Sequence, residues 1–289
     1  MISVVVATLD RPDHVERCVR SLVAGARLPD EVIVVDQAGG DGSRHVVEGL
    51  GARWIHQEER NASLARNRGV ELASSDYVAL LDDDAEVGPS WLVDAERALD
   101  ELGRPDALFG AVVAPGPIDR RDLAVSTHDV AAPTVWPSTT HPAKPGFSCH
   151  AIVRRSAFLE LGGFDPRLGP GSALYGAEDM DLNYRMLRGG RVVASTPAVS
   201  VTHHQWREQD ALPRLMYSYN LGHSAFCAKH LRRGDLGVLR LVGRQLLDDG
   251  RMLGSAVRRR SWLRARVAAW RFVGTVRGLF EGWRRLAPG

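Results

Sequence analysis

The chain has 289 residues, of which 44% are hydrophobic and 25% are charged, as is typical of a soluble globular protein with one large domain or two small ones. No run of roughly eighteen apolar residues occurs and no basic-then-apolar segment opens the chain, so we expect neither a membrane-spanning helix nor a secretory signal. Three widely separated cysteines without a CxxC pair argue against a disulfide framework and are compatible with a reducing cytosol.

The net charge of +2 hides an uneven distribution along the chain. Residues 207–289 carry 17 basic against 6 acidic side chains, whereas residues 1–206 carry 20 against 29. We therefore expect an acidic body over 1–206 and a basic helical tail over 207–289.

Short apolar runs rich in β-branched residues alternate with helical patterns through most of the chain. The predicted strands are 2–7, 31–35, 53–56, 77–81, 149–153 and 191–195. The predicted helices are 13–25, 43–50, 61–73, 155–161 and 178–189, followed by helical sequence from about 207. This alternation predicts an α/β protein with a Rossmann-like, mostly parallel sheet flanked by helices. Residues 111–148 show no clear period and are predicted to form long loops and edge strands around a pocket.

Acidic residues follow three of the predicted strands. Asp10 comes after the first, Asp36 after the second, and Asp82, Asp83 and Asp84 after "YVALL". In open α/β sheets ligands bind beyond the carboxyl ends of the strands, and Mg²⁺ is commonly held there by carboxylates and substrate phosphates. The triple aspartate therefore predicts a site for a divalent ion that binds a diphosphate. The alternative is a solvated acidic turn or a helix N-cap.

A second acidic pair, Glu178 and Asp179, begins the predicted helix in "YGAEDMDLNYRMLRGG". The helix dipole favours ionised carboxylates in the first turn, and an ionised carboxylate at a pocket rim can act as a general base. The Gly-rich loop before the helix lets the backbone approach a ligand closely. The alternative is that these acids only compensate the helix dipole.

Taken together, these stretches resemble the family 2 glycosyltransferases with the GT-A fold, over roughly residues 1–205. The similarity rests on a series of motifs in family order: "VVVATLDRP", "VIVVDQAGGDGS", "NASLARNRG", "DYVALLDDDAEVGPSWL", "LGGFDPRL", "GAEDMDLNYRMLRGG" and "VSVTHH". The resemblance implies a catalytic domain over 1–206, with a nucleotide-sugar half over about 1–110 and an acceptor half over 111–206.

The resemblance also implies which residues contact the nucleotide sugar. Asp36 would hydrogen-bond the base, Arg66 would lie near the base and diphosphate, and Asp82 would hold the ribose or a metal-bound water. The whole set implied for this contact is Thr8, Asp10, Arg11, Asp36, Arg66, Asp82 and Asp83.

The implied metal ligands are Asp84, Asp82 and His203, with His204 as the fallback for His203. The metal would be Mn²⁺ or Mg²⁺ and would stabilise the leaving diphosphate. Asp179 would be the catalytic base, with Glu178 beside it to bind acceptor or donor sugar. A single displacement of this kind inverts the anomeric configuration.

Departures from the family pattern leave the donor base open. Leu9 stands where an aromatic residue is common, and "DQAGGDGS" replaces the usual sequence after the second strand. We expect a UDP-sugar donor first, with dTDP or GDP as the other choices. The Gln-x-x-Arg-Trp motif of processive synthases is absent, which together with the lack of a predicted membrane span favours transfer of single sugars. The resemblance implies a glycan or lipid-linked acceptor in polysaccharide, glycolipid or cell-wall assembly.

The basic tail contains three of the seven tryptophans, set among apolar residues at roughly helical spacing over 252–286. Basic amphipathic helices with tryptophan suit the headgroup level of an anionic membrane, so we expect a cytoplasmic enzyme that can be peripheral on the inner face. The alternative is that these helices pack on the catalytic domain or on a partner. No nucleic-acid-binding module accompanies the charge, and nucleic acid is not an expected partner.

Two other functions compete with glycosyl transfer. A nucleotidyltransferase for sugar phosphates would share the metal and the diphosphate, but "TLDRPDHVERC" offers no Gly-rich phosphate loop after the first strand. A non-catalytic sugar-binding or scaffold protein on the same fold would not need Asp84, Glu178 and Asp179 together.

Overall fold

The computed structural model describes residues 1–116, 127–204 and 211–286, which form two compact units. The described part of the first unit consists of residues 1–116, 127–164 and 182–204, and that of the second consists of 165–181 and 211–286. The predicted division at residue 206 differs from this grouping in residues 165–181, which belong with the C-terminal helices.

Within the described residues, nine strands form one sheet, with the order β3-β2-β1-β4-β8-β6-β9-β5 and with β7 paired to β9. The strands are β1 (Ile2–Thr8), β2 (Glu31–Asp36), β3 (Arg53–His56), β4 (Tyr77–Asp82), β5 (Ala85–Val87), β6 (Ala107–Val113), β7 (Thr134–Trp136), β8 (His150–Arg154) and β9 (Val193–His203). Strands β1, β2, β3 and β4 pair with one another in parallel, whereas β8 is antiparallel to both β4 and β6. The predicted α/β sheet is confirmed, with the parallel arrangement in its N-terminal half and a mixed arrangement beyond.

In the first 190 residues, five of the described helices fall at or close to the predicted positions, and a sixth, over Trp91–Glu101, was not predicted. The described helices are α1 (Pro12–Val23), α2 (Arg44–Gly49), α3 (Ala62–Leu72), α4 (Trp91–Glu101), α5 (Arg155–Glu160), α6 (Glu178–Arg188), α7 (Leu212–Arg232), α8 (Val238–Arg258) and α9 (Trp262–Arg285). The first turn of α6 belongs to the second unit and the remainder to the first. None of the described helices is long and apolar enough to cross a bilayer.

Strand β1 is apolar throughout because both faces of the sheet are covered. Val4 and Val6 pack in one hydrophobic cluster and Val5 packs in the other, and all three are fully buried. Alternation along the strand sends successive side chains to opposite faces, so a run of valines is what a strand buried on both sides requires.

Strand β6 (Ala107–Val113) was not predicted, and its last three residues fall in the region 111–148 that was expected to form loops and edge strands. Its sequence, "ALFGAVV", includes a glycine that weakens any strand signal. A Cβ at Gly110 would come within 2.0 Å of the His150 ring and 2.4 Å of the Val199 oxygen, so only glycine fits there. The prediction of loops and edge strands was wrong for residues 111–113, the end of β6, because β6 lies between β8 and β9 in the sheet.

In the second unit, α9 lies unusually close to α7. A Cβ added at Gly274, Gly278 or Gly282 would come within 2.5 Å of α7 atoms, so side chains are excluded from this row of α9. Residues 220–230 of α7 are all buried, so this part of the predicted basic amphipathic tail over 207–289 has no solvent-exposed face.

Candidate active site

The carboxyl ends of β1, β2 and β4 bring several predicted residues to one edge of the sheet. Thr8 lies opposite Asp36 in the β1–β2 ladder, and Ala7 lies opposite Asp82 in the β1–β4 ladder. These three strands are parallel, so their carboxyl ends meet at the same edge, as expected from the sequence.

Asp82, Asp84 and His203 form a cluster with potential metal-ligand atoms, one from each residue, all within 4.8 Å of one another. Nε2 of His203 lies 3.1 Å from Oδ1 of Asp84 and 4.0 Å from Oδ2 of Asp82. Asp84 and His203 are buried, and Asp82 is half-buried. The structure thus brings together three residues that are separated by up to 121 positions in the chain.

The pairing of β5 with β9 determines which of the two adjacent histidines joins the cluster. His203 lies opposite Ala85 in this antiparallel ladder, directly beside Asp84. The next residue, His204, donates its backbone N–H to the carbonyl oxygen of Asp84 at 2.8 Å, and its Nε2 lies 2.7 Å from Oε2 of Glu86. Successive side chains of a strand point to opposite sides, so only His203 faces the aspartates.

Two carboxylates and one imidazole fit a divalent cation. Carboxylate oxygens suit Mg²⁺ and Mn²⁺, and imidazole nitrogen adds affinity for transition metals. Burial acts to raise the pKa of Asp84, but the hydrogen bond and charge of His203 outweigh it, and the pKa lies below its ordinary value. Asp84 is therefore ionised at neutral pH, which is the state that a metal ligand needs.

Asp83, the middle aspartate, points away from the cluster and anchors the acidic loop to the N-terminal part of the sheet. The Thr8 hydroxyl donates to Oδ2 of Asp83 at 2.7 Å, and Nη2 of Arg11 lies 2.9 Å from Oδ1. Asp83 is 1% exposed, and this burial raises its pKa to about 7 despite the opposing charge of Arg11. The arrangement uses Asp83 to fix the loop that carries Asp82 and Asp84.

Arg66 of α3 places a buried positive charge beside the cluster. Its Nη2 donates to Oδ1 of Asp82 at 2.7 Å, and its guanidinium lies 5.9 Å from the centre of the Phe164 ring. A fixed cation next to Asp82 offsets the repulsion between the neighbouring carboxylates. The predicted contact of Arg66 with base and diphosphate stays a prediction.

Asp10 and Asp36 have different surroundings at the same edge. Asp10 is exposed and has a φ of 60°, a left-handed conformation that aspartate tolerates better than most residues. Asp36 is fully buried, and its carboxylate accepts hydrogen bonds from the Ala38 N–H at 2.9 Å and the Trp54 indole at 3.3 Å. The predicted base contact of Asp36 stays a prediction.

The second acidic site lies in the second unit, in the first turn of α6. Glu178 is buried and Asp179 is half-buried, and Oδ1 of Asp179 accepts from the Met180 N–H at 2.7 Å. The residues just before them have positive φ angles, 30° at Tyr175 and 69° at Ala177. Such conformations persist in non-glycine residues only where the surrounding structure imposes them, as commonly happens at functional sites.

Helix α7 imposes that conformation by close contact. A Cβ at Gly222 would come within 2.4 Å of the carbonyl oxygen of Gly176, so the glycine in α7 lets the loop lie directly on the helix backbone. The turn that precedes Glu178 and Asp179 is therefore seated on α7.

A buried ionic network also joins the start of α6 to α7. Asp181, which is fully buried, accepts at Oδ1 from Nζ of Lys229 and lies 2.8 Å from Nε2 of His230. Nζ of Lys229 also lies 2.8 Å from Oδ2 of Asp165. Neither Lys229 nor His230 was predicted as a functional residue. The sequence feature that could have indicated them is a pair of basic residues at the end of an otherwise small and apolar helical stretch, "SAFCAKH".

Comparison with known proteins identifies the family. A profile described as Glycosyl transferase family 2 matches residues 3–162, which is more than half of the chain. The chain belongs to glycosyl transferase family 2, and its sheet with the acidic loop after β4 is the GT-A arrangement expected for that family.

Curated relatives have related descriptions. The succinoglycan biosynthesis protein ExoM of Rhizobium meliloti is 31% identical over 208 residues, covering 68% of this chain and 64% of that protein. The pre-mycofactocin glycosyltransferase of Mycobacterium tuberculosis is 30% identical over 234 residues, covering 74% of this chain and 45% of that protein. The matches thus span less than two thirds of either relative.

Solved structures match over nearly the whole chain at low identity. The mannosyltransferase PcManGT from Pyrobaculum calidifontis, solved in complex with GDP-Man and Mn²⁺, has a TM-score of 0.59 at 16% identity and covers 97% of this chain and 87% of that one. Residues 1–349 of S. aureus TarS give a TM-score of 0.54 at 16% identity, with 98% and 90% coverage. At this identity the likeness establishes the fold.

Proposed function

We propose that this protein is an inverting, metal-assisted glycosyltransferase that moves one sugar from a nucleoside-diphosphate sugar to an acceptor hydroxyl. The observation that carries the proposal is the cluster of Asp82, Asp84 and His203 beyond the carboxyl ends of the parallel strands, in a chain of glycosyl transferase family 2. A divalent cation there supplies charge stabilisation for the leaving diphosphate.

The residues of the first unit would bind the donor. Asp82, Asp84 and His203 would hold the cation, and Arg66 would hold Asp82 in place while presenting positive charge toward the phosphates. Thr8, Asp10, Arg11, Asp36 and Asp83 would shape or support the nucleotide pocket.

Asp179 would be the general base and Glu178 would bind sugar beside it. As the acceptor oxygen attacks the anomeric carbon, the bond to the diphosphate oxygen breaks and the acceptor proton passes to Asp179. The attack comes from the side opposite the leaving group, so the anomeric configuration inverts in one step and no enzyme nucleophile is required.

We propose UDP-sugars as the first donors to test, followed by dTDP- and GDP-sugars. The complex of PcManGT with GDP-Man supports the inclusion of GDP-sugars. The succinoglycan protein supports polysaccharide assembly as the setting, with a glycan or lipid-linked acceptor. The cytoplasmic face of the membrane is the proposed location, and the surface that would hold the protein there is argued below.

The test follows donor consumption by the purified chain. Incubation with Mn²⁺ and a panel of UDP-, dTDP- and GDP-sugars should give metal-dependent release of one nucleoside diphosphate, stopped by a chelator. Asp179→Asn should abolish transfer while donor binding, measured by calorimetry, persists. Equal loss of donor binding would remove Asp179 from the role of base.

The same assay separates the competing functions. Pyrophosphate release from a nucleoside triphosphate and a sugar phosphate would identify a nucleotidyltransferase. Tight donor binding without hydrolysis or transfer to any acceptor would identify a sugar-binding or scaffold protein.

A further inference from the structure

Helix α9 exposes a continuous apolar row on one side. Its members recur at intervals of three, four and seven residues, so they lie on one face of the helix. Trp262 is 77% exposed and Phe280 is 67% exposed. The row comprises Trp262, Ala269, Val273, Val276, Phe280 and Trp283, with Phe272 at its margin.

The opposite side of α9 is fixed against α7 by the three glycines described above. Gly274, Gly278 and Gly282 leave no space for a side chain, so α9 cannot turn its apolar row inward without losing this contact. The exposure of the row is therefore a consequence of how α9 packs within the second unit.

Arginines run alongside the apolar row. Arg266, Arg277 and Arg284 are exposed and follow one another at intervals of eleven and seven residues, which sets them along one flank of the row. Glu281 is the only acidic residue in the sequence from 251 to 289. Glu281 lies 2.9 Å from Arg284 and 2.7 Å from Arg285, so the flank keeps a net positive charge.

Helix α8 repeats the pattern. Leu239, Leu246, Leu253 and Val257 are exposed at intervals of seven, seven and four residues. The exposed arginines on the adjoining side are Arg240, Arg244, Arg251 and Arg258. The turn between the two helices adds Arg259 and Arg260, next to the exposed Val257 and Trp262.

We propose that the outer faces of α8 and α9 bind the surface of an anionic phospholipid bilayer, with both helices at headgroup level. Apolar rows with exposed tryptophan enter the boundary between headgroups and acyl chains, and arginines beside them meet lipid phosphates while their stems stay apolar. Exposed apolar rows bordered by charged side chains are typical of interaction surfaces rather than of faces that meet water alone. A nucleic acid would use the arginines but leave the apolar rows exposed.

This inference does not depend on sugar transfer. A chain that bound no nucleotide sugar would still bind vesicles through these faces. Combined with the proposed function, it favours an acceptor that is itself anchored in the membrane.

The experiment is co-sedimentation of the full chain, without sugars, with vesicles of phosphatidylcholine alone or mixed with phosphatidylglycerol. Binding is expected to the mixed vesicles, and it should weaken with added salt because charge contributes. The double variant Trp262→Ser/Phe280→Ser should bind at least about tenfold more weakly. Arg259→Gln/Arg266→Gln should lose about fivefold for each arginine removed.

Matched controls come from exposed residues of the first unit. Leu28→Ser and Arg97→Gln remove an apolar and a cationic side chain from exposed positions there and should leave vesicle binding unchanged. Circular dichroism and melting temperature check that each variant folds.

Two results would overturn the proposal. One is the absence of binding to mixed vesicles, or binding that the two double variants retain in full. The other is a lipid-free dimer, detected by light scattering, that Trp262→Ser/Phe280→Ser dissociates, because the face would then belong to a second copy of the chain.

Discussion

At the scale of single residues, the candidate site depends on side chains whose charges are set by their neighbours. Asp82 is paired with Arg66, Asp84 with His203, and Asp83 is held apart from both by Thr8. Three consecutive acidic side chains coexist because their nearest partners differ and because burial raises the pKa of Asp83 to about 7. The repulsion expected between three adjacent acidic residues is reduced by partner side chains that the fold brings close to them.

His203→Asn should weaken Mn²⁺ binding by at least about tenfold, because loss of even an outer-shell partner of a metal ligand costs that much. His204→Asn is the matched control and should have little effect, since the His204 ring contacts Glu86 instead. Calorimetric titration with Mn²⁺ measures both. Equal losses in the two variants would contradict the assignment of His203 as the ligand.

Lys229→Met should lower the free energy of unfolding by about 3 kcal/mol, the low end for removing one partner of a buried ion pair, because Asp165 and Asp181 lose their shared cation while Asp165 keeps Arg167. Urea denaturation measures this loss. The double variant Lys229→Met/Asp181→Asn should be less destabilised than the sum of the two single variants, by about 0.5–3 kcal/mol. Additive losses would show that Lys229 and Asp181 do not interact.

At the scale of elements, buried side-chain hydrogen bonds join neighbouring strands in addition to the backbone hydrogen bonds of the sheet. His150 at the start of β8 accepts a hydrogen bond at Nε2 from the Trp91 indole of α4 at 3.0 Å, so its Nδ1–H donates to the Ala111 oxygen of β6 at 3.1 Å. Gly110 beside it has no side chain and gives the ring its space. The imidazole joins two strands and a helix, and it does so in the neutral form.

Burial lowers the pKa of His150 to about 4, whereas an unfolded chain takes up the proton near 6.5. Protons therefore bind preferentially to the unfolded chain, and stability falls as the pH drops from 6.5 toward 4. We expect His150 to account for a loss of about 3 kcal/mol over this interval.

Urea denaturation at a series of pH values measures the effect of His150. The variant His150→Gln should show a shallower decline between pH 6.5 and 4 than the unsubstituted protein. His45→Gln, at an exposed histidine, should not change the decline. An unchanged pH profile in His150→Gln would contradict this account.

At the scale of the whole molecule, sequence patterns predicted best the strands that are covered by apolar residues on both faces. Strands β1 and β4 are covered on both faces, so their apolar runs are continuous and easily recognised, and the parallel arrangement then places Asp36 and Asp82 at one edge. The resemblance to the family supplied the catalytic roles, which the pattern alone left open.

The remaining features depend on contacts between distant residues. Strand β6 was missed because Gly110 is required by His150, forty positions away. The network of Lys229 with Asp165 and Asp181 joins residues 64 and 48 positions apart, and no local period predicts it. The burial of α7 was missed because polar side chains such as Asn220 and His223 lie within it.

The pairing of β9 has a consequence for how this site can vary. Opposite the adjacent residues Gly110 and Ala111 of β6, strand β9 has Thr196 and Ser200, so Pro197, Ala198 and Val199 are supernumerary. Successive side chains of a strand point to opposite faces. The number of extra residues, odd or even, therefore determines which face each later side chain of β9 points to. With the β5–β9 pairing positions kept in place, one residue more in this bulge would put Thr202 opposite Ala85, and one residue fewer would put His204 there, so His203 would no longer lie beside Asp84. The number of residues in the bulge at 197–199 therefore determines which residue becomes the candidate third ligand.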